Sequence, residues 1–202
     1  HLLELQYKTT HPFNGANPGG WGWTSYAGSV PDADDTPGAI LALLMLFSGK
    51  KEEIEAVENG CRWLTGIQNS DGGFPTFCRG WGKLPFDSSC ADLTGHALLA
   101  LMKSVEILND KMDKKLLDDI GRTISGAASY LEKHQSAEGS WLPLWFGNQH
   151  TDDKTNPVYG TAKVCIYLNE SSCFRRYGGN FDSRILQMVS KAQDYLLKQQ
   201  NT

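Results

Sequence analysis

An all-α fold, a segment of an α/α barrel (toroid) of alternating inner and outer helices, is what this chain predicts. Three observations lead there. The sequence repeats itself in register: aromatic-Leu-x-x-x-Gln occurs at Trp63-Leu64…Gln68, Tyr130-Leu131…Gln135 and Tyr195-Leu196…Gln200. The first two copies run on into Gly-x-aromatic, at Gly72-Gly73-Phe74 and Gly139-Ser140-Trp141. No segment alternates apolar and polar residues with period two for long enough to form a strand.

Each element follows in order. A degenerate copy of the repeat opens the chain as Asn17-Pro18-Gly19-Gly20-Trp21. After each Gly-x-aromatic comes a loop, then a Thr that opens an apolar helix: Thr36, Thr94 and Thr161. Each Thr suits an N-cap, and Pro37 suits the first helical position. The segments 36–47, 93–108 and 160–169 are apolar on most faces, as buried inner helices are. Those near 51–68, 113–135 and 182–200 are amphipathic, with Lys, Glu and Asp outside and Leu, Ile and Ala inside. One unit is therefore loop, inner helix, outer helix and Gln-x-x-x-Gly-x-aromatic, and such units stack side by side. Residues 1–202 read as one domain. The start at His1 rather than Met fits a piece cut from a longer chain.

Bulk properties narrow the function. The net charge of −4 over 202 residues offers no basic surface for nucleic acid. The longest apolar run, Ala39 to Phe47, is far short of the roughly 20 residues of a membrane span. No signal peptide is visible. The cysteines Cys61, Cys78, Cys90, Cys165 and Cys173 form no Cys-x-x-Cys pair and read as free, buried thiols of a reducing compartment.

The chemistry concentrates at Asp32-Ala33-Asp34-Asp35-Thr36, directly before the first apolar helix. Crowded carboxylates cannot all ionise cheaply, so at least one is a candidate for holding its proton near neutral pH. The repeat register puts Asp34, Asp92 and Tyr159 at equivalent places, each two residues before its Thr, and so at one mouth. His96 lies at that same end. Arg79 and Lys83 would add two cations there. The bland readings are a helix-capping acidic turn for the Asp cluster, and a first-turn His satisfied by a carbonyl or by Asp92. For Trp23, Phe77, Trp145 and Tyr159 the alternative is packing at repeat junctions; Trp21, Phe74 and Trp141 are assigned to packing outright. Asp152-Asp153-Lys154 reads as a solvated loop.

The repeat and the acidic motif together resemble the squalene–hopene and oxidosqualene cyclase family. The matching residues are Asp32-Ala33-Asp34-Asp35-Thr36 after Gly19-Gly20-Trp21-Gly22-Trp23, then Asp92-Leu93-Thr94-Gly95-His96, then Gly139-Ser140-Trp141…Trp145…Tyr159-Gly160-Thr161. The resemblance implies a class II terpene cyclase, an isomerase that protonates a polyprenoid such as squalene. Asp34 would be the general acid, tuned by Asp32 and Asp35 and held by His96. Trp23, Phe77, Asp92, Trp145 and Tyr159 would face substrate and cationic intermediates. It implies no cofactor and no metal, and the magnesium–diphosphate pattern Asp-Asp-x-x-Asp is absent from the sequence. Its implied partners are the substrate and the rest of the parent chain, which would supply a second barrel domain. The setting would be cytoplasmic or peripheral to a membrane. The alternative function is a non-catalytic α/α toroid that binds a lipid or a protein partner.

Overall fold

The structure, a computed structural model, describes residues 1–12, 14–26, 28–78, 80, 85–170 and 179–200, with backbone alone at 179 and 180. Arg79, Lys83 and Cys173 lie outside the described residues. Among those described there are seven α-helices: α1 (Leu2–Leu5), α2 (Asp35–Met45), α3 (Lys51–Ile67), α4 (Ala91–Leu108), α5 (Lys114–His134), α6 (Pro157–Glu170) and α7 (Gly179–Gln199). Pairing between extended segments among them is confined to two isolated bridges, Asp32 with Phe77 and Phe74 with Cys90.

The helices form two layers. In one, α2 packs on α4 and α4 on α6; in the other, α1 packs on α3, α3 on α5 and α5 on α7. Helix α4 buries Leu93, Ala97, Leu98, Leu101 and Met102 on several faces, as its continuous apolar sequence requires. Helix α3 buries Val57, Gly60, Cys61, Leu64 and Ile67, one stripe at helical spacing, and leaves its Lys and Glu residues outside. Between the layers lie Trp21, Phe74 and Trp141, all buried. They pack, as expected, and take no part in the mouth.

The repeat works through three recurrent contacts. Gln68 Nε2 donates to the Gly72 carbonyl at 2.8 Å and to the Thr123 carbonyl of α5 at 2.8 Å. Gln135 Nε2 donates to Gly139 at 3.0 Å and to Met188 of α7 at 2.9 Å. Gln6 Nε2 does the same toward Gly19 at 2.8 Å and Ala56 of α3 at 2.9 Å. Each Gln thus closes its own turn and pins the next outer helix. The glycines are required there: Gly19, Gly72 and Gly139 have φ of +115°, +90° and +99°. A Cβ at any of them would overlap a backbone carbonyl of the neighbouring outer helix, at Asn59, Gly126 or Lys191.

The threonines correct one expectation. None is an N-cap. The N-cap of α2 is Asp34 and that of α4 is Cys90, and the Asn156 side chain accepts the Tyr159 N–H at the start of α6. Thr36 sits inside the first turn of α2, and Pro37 is the third residue of that helix rather than its first. The hydroxyls have another use. Thr36 Oγ1 accepts the Trp21 N–H at 2.9 Å, Thr94 Oγ1 that of Phe74 at 3.0 Å, and Thr161 Oγ1 that of Trp141 at 2.9 Å. Each buried aromatic is latched by its backbone to the inner helix that follows. Thr94 also donates to the Cys90 carbonyl at 2.6 Å. Thr94→Val keeps the shape and leaves the Phe74 N–H buried without a partner, so it is expected to cost about 1–3 kcal/mol. The urea midpoint of the variant measures this.

Candidate active site

The mouth is assembled at the starts of α2, α4 and α6. At α2, Asp32 is buried, 2% exposed, and its Oδ1 accepts the N–H groups of Asp34 at 2.9 Å and Asp35 at 2.6 Å. Asp32 therefore does the capping that the sequence suggested for Thr36. Its Oδ2 is buried without a hydrogen-bond partner. Burial pushes the carboxyl up to about 8, and the neighbouring Asp35 adds to the effect, while the N–H groups oppose it. The carboxyl that holds its proton near neutral pH is thus Asp32.

Asp34 behaves oppositely. Its side chain is 61% exposed, and His96 Nδ1, at 14% exposure, lies 3.3 Å from its Oδ1. The hydrogen bond from His96 holds the Asp34 carboxyl below its usual range, against the effect of burial, with lesser help from the charges of His96 and Lys163. His96 is on α4, so this contact joins two units, and the local alternative through Asp92 is not used. Asp92 is buried and takes the thiol of Cys90, which in turn accepts the Leu144 N–H at 3.2 Å. Burial pushes the thiols of Cys90 and Cys61 up to about 12. Among the described residues Cys61, Cys78, Cys90 and Cys165 are buried and in no disulfide, as the sequence suggested.

A cleft of about 370 Å³ opens beside these acids, at the small end of ligand-binding pockets. Asp32, Asp34, Asp35, Asp92, Trp23, Phe77 and Trp145 all line it. Its aromatic wall is continuous: ring centroids are 5.8 Å apart for Trp23 and Phe77, 5.0 Å for Phe77 and Phe86, and 5.1 Å for Phe86 and Trp145. Trp23 and Trp145 stay 54% and 40% exposed, which separates them from the buried packing aromatics. Trp145 Nε1 is tied to Thr76 Oγ1. Tyr159 does not line the cleft; it packs on Phe146, which does, at 4.8 Å. The acidic pair Asp152 and Asp153 is exposed in its loop, with Asp153 Oδ1 accepting the Thr155 N–H at 3.1 Å. Among the described residues no helix is long and apolar enough to cross a membrane.

The sequence reading missed Phe86, Thr76, Leu93 and Phe146 in the cleft, and Lys163 and Tyr167 behind His96. It also missed Gln6 in the first unit, because 12 residues separate it from Gly19 where other units have three. The signal was Leu2-x-x-x-Gln6, the same Leu-to-Gln spacing as in the other copies. The indole N–H of Trp21 donates to the Leu2 carbonyl at 2.9 Å, as that of Trp141 does to Leu131 at 2.8 Å.

The pH dependence of stability follows from Asp32. Its folded pKa, about 8, lies above the ordinary 3.8. Between these values the folded chain holds a proton that the unfolded chain has released, so stability falls as pH rises from about 4 to 8. Asp32→Asn mimics the neutral carboxyl and removes that proton. The urea midpoint of the variant, relative to the parent, is expected to rise steadily over this window; a constant difference would refute a protonated Asp32.

Fold and site together define a helical-repeat domain that presents a carboxyl–imidazole pair beside an aromatic-walled apolar cleft. A family model for the squalene-hopene cyclase C-terminal domain matches residues 8–202, and the chain belongs to that family. It is 30% identical over 161 residues to sporulenol synthase from Bacillus subtilis, covering 71% of this chain and 23% of that protein. It is 28% identical over 161 residues to squalene–hopene cyclase from Alicyclobacillus acidocaldarius, covering 75% of this chain and 23% of that protein. The chain thus spans about a quarter of the length of these curated relatives. Its fold is similar to a mutant family 10 polysaccharide lyase from Cellvibrio cellulosa solved with trigalacturonic acid. The TM-score is 0.65 at 15% identity, over 94% of this chain and 63% of that one. This likeness shows the fold alone.

Proposed function

We propose that the chain is the acid-bearing domain of a class II terpene cyclase and forms a segment of an α/α barrel in a longer protein. The reaction is isomerisation of a polyprenoid such as squalene. Asp34 gives a proton to a terminal alkene, the cation passes along the chain as rings close, and a proton is lost at the end. The observation that carries this reading is the Asp34–His96 contact at the edge of the aromatic cleft.

The chemistry supports it. A carboxyl whose conjugate base is stabilised by an imidazole is the stronger acid once it is protonated. Trp23, Phe77 and Trp145 offer π faces to a developing cation, about 2 kcal/mol each when desolvated, and carry no strong nucleophile to trap it. Asp32, already neutral, organises the turn without adding a second negative charge beside Asp34. A second barrel domain and the substrate would cover Asp34, remove water and favour its protonated form.

Incubating the full-length protein with squalene tests the reading by gas chromatography and mass spectrometry. A cyclic product of unchanged mass, or of that mass plus water, is expected. No turnover of squalene or of any other polyprenoid would sink it. The open, ionised state of Asp34 favours a second reading, a lipid-binding toroid that keeps the fold without the reaction. Binding of squalene without product would establish that reading instead.

A further inference from the structure

His96 is held by more than Asp34. The ring of Tyr167, on α6, stacks on its imidazole with centroids 4.7 Å apart and planes 7° from parallel. One turn earlier on the same helix, the Lys163 ammonium lies 5.0 Å from the centroid of the Tyr167 ring. Space for this stack comes from Gly95, the neighbour of His96 on α4. A Cβ there would press on Tyr167 Cδ2 at 3.2 Å. The stack restrains the last torsion of the imidazole, which in histidine is broad and roughly two-fold.

We propose that Tyr167 and Lys163 are positioning residues of the Asp34–His96 pair: Tyr167 fixes the imidazole plane with Nδ1 toward Asp34, and Lys163, seated over that same ring, sets a positive charge beside the pair. This rests on the cyclase reading for its catalytic consequence, not for its geometry. The titratable groups facing the pair are Asp32 and Asp35 at the start of α2, Asp92 on α4, and Tyr159, Lys163 and Tyr167 on α6. Among these, Lys163 is the cation. Its charge favours the Asp34 carboxylate, so it trades occupancy of the protonated form for acid strength.

Two independent measurements on the full-length protein test this. In the pH profile of kcat with squalene, Lys163→Met is expected to move the alkaline limb upward by about half a pH unit and lower the acid plateau about two- to threefold. Lys163→Arg is expected to restore the parent limb. Tyr167→Leu is expected to lower kcat about tenfold with KM nearly unchanged, and Tyr167→Phe to recover most of that loss. The second measurement needs no turnover: side-chain ¹⁵N NMR of His96, assigned by its loss in His96→Gln. Tyr167→Leu is expected to change the tautomer balance and Tyr167→Phe to leave it; in side-chain ¹³C NMR, assigned by its loss in Asp34→Asn, Lys163→Met is expected to raise the midpoint of the Asp34 carboxyl and Lys163→Arg to leave it. An unmoved Asp34 midpoint in Lys163→Met, with an unchanged His96 spectrum in Tyr167→Leu, would overturn the proposal. If Tyr167→Leu fails to fold, Lys163→Met alone decides. If the parent turns over no polyprenoid, the cyclase reading falls and the NMR result still judges the positioning roles.

Discussion

Asp34→Asn in the full-length protein is expected to lower cyclic product formation by about 10²–10⁴-fold, the usual worth of a general acid. Asn is isosteric, and its amide oxygen can keep the 3.3 Å contact with His96 Nδ1. The α2 turn is capped by the Asp32 carboxyl rather than by the Asp34 side chain, so the fold should be indifferent to the change. What is lost is the acidic proton. KM should stay near the parent value, since the cleft wall is untouched, and the loss should appear in kcat. The parent rate should rise as pH falls, because only protonated Asp34 can donate and His96 holds that carboxyl below its usual range. Removing the imidazole by His96→Ala moves the edge of the profile to higher pH while weakening the acid. Undiminished turnover by Asp34→Asn would end the assignment of Asp34 as donor.

Gly72→Ala is expected to cost roughly 2–5 kcal/mol for a single methyl group. The backbone there has φ of +90°, which costs an L-residue about 1–2 kcal/mol. The new Cβ would also overlap the carbonyl of Gly126 on α5, a backbone atom that cannot swing aside. Overpacking of this kind adds about 1–3 kcal/mol. Against the 5–15 kcal/mol of a typical domain this is a large fraction. The melting temperature should drop by roughly 5–15 °C, at about 2–4 °C per kcal/mol. Gly121→Ala is the control. It lies inside α5 with no atom within 4 Å of its would-be Cβ, so it should be neutral or stabilise by about 0.5–1 kcal/mol. Equal melting temperatures for the two variants would show that the repeat glycine is not constrained.

Much of this architecture could be read from residue spacing, because the units repeat and each element agrees with its neighbours. The three inner and three outer helices begin and end within two residues of the expected positions, apart from α6 and α7, which start three residues early. The Gln, Gly and aromatic positions stood out because their partners are backbone groups at fixed offsets, which the sequence displays directly. The threonine hydroxyls misled because an N-cap and a cross-unit latch place the same residue type at nearly the same point. Phe86, Phe146, Lys163 and Tyr167 were missed because contacts across units leave no periodic trace in one sequence. The acid cluster was visible, but which carboxyl stays neutral depends on burial. Asp32 is enclosed and Asp34 open, a difference that Asp-Ala-Asp-Asp does not encode.

The repeat contacts also say where this chain is free to change. Gln, Gly and Thr fix each unit at three points, and the first unit keeps all three with 12 residues between Gln6 and Gly19. The framework therefore tolerates length variation between its fixed points. Trp23, Thr76, Phe77, Phe86, Trp145 and Phe146 all come from the connecting segments 22–34, 75–90 and 142–156. Insertions and substitutions there can reshape the cleft while the scaffold stays as it is. A lineage built this way can acquire new cavities by loop drift, and libraries confined to those segments are where altered ligand preference should be sought.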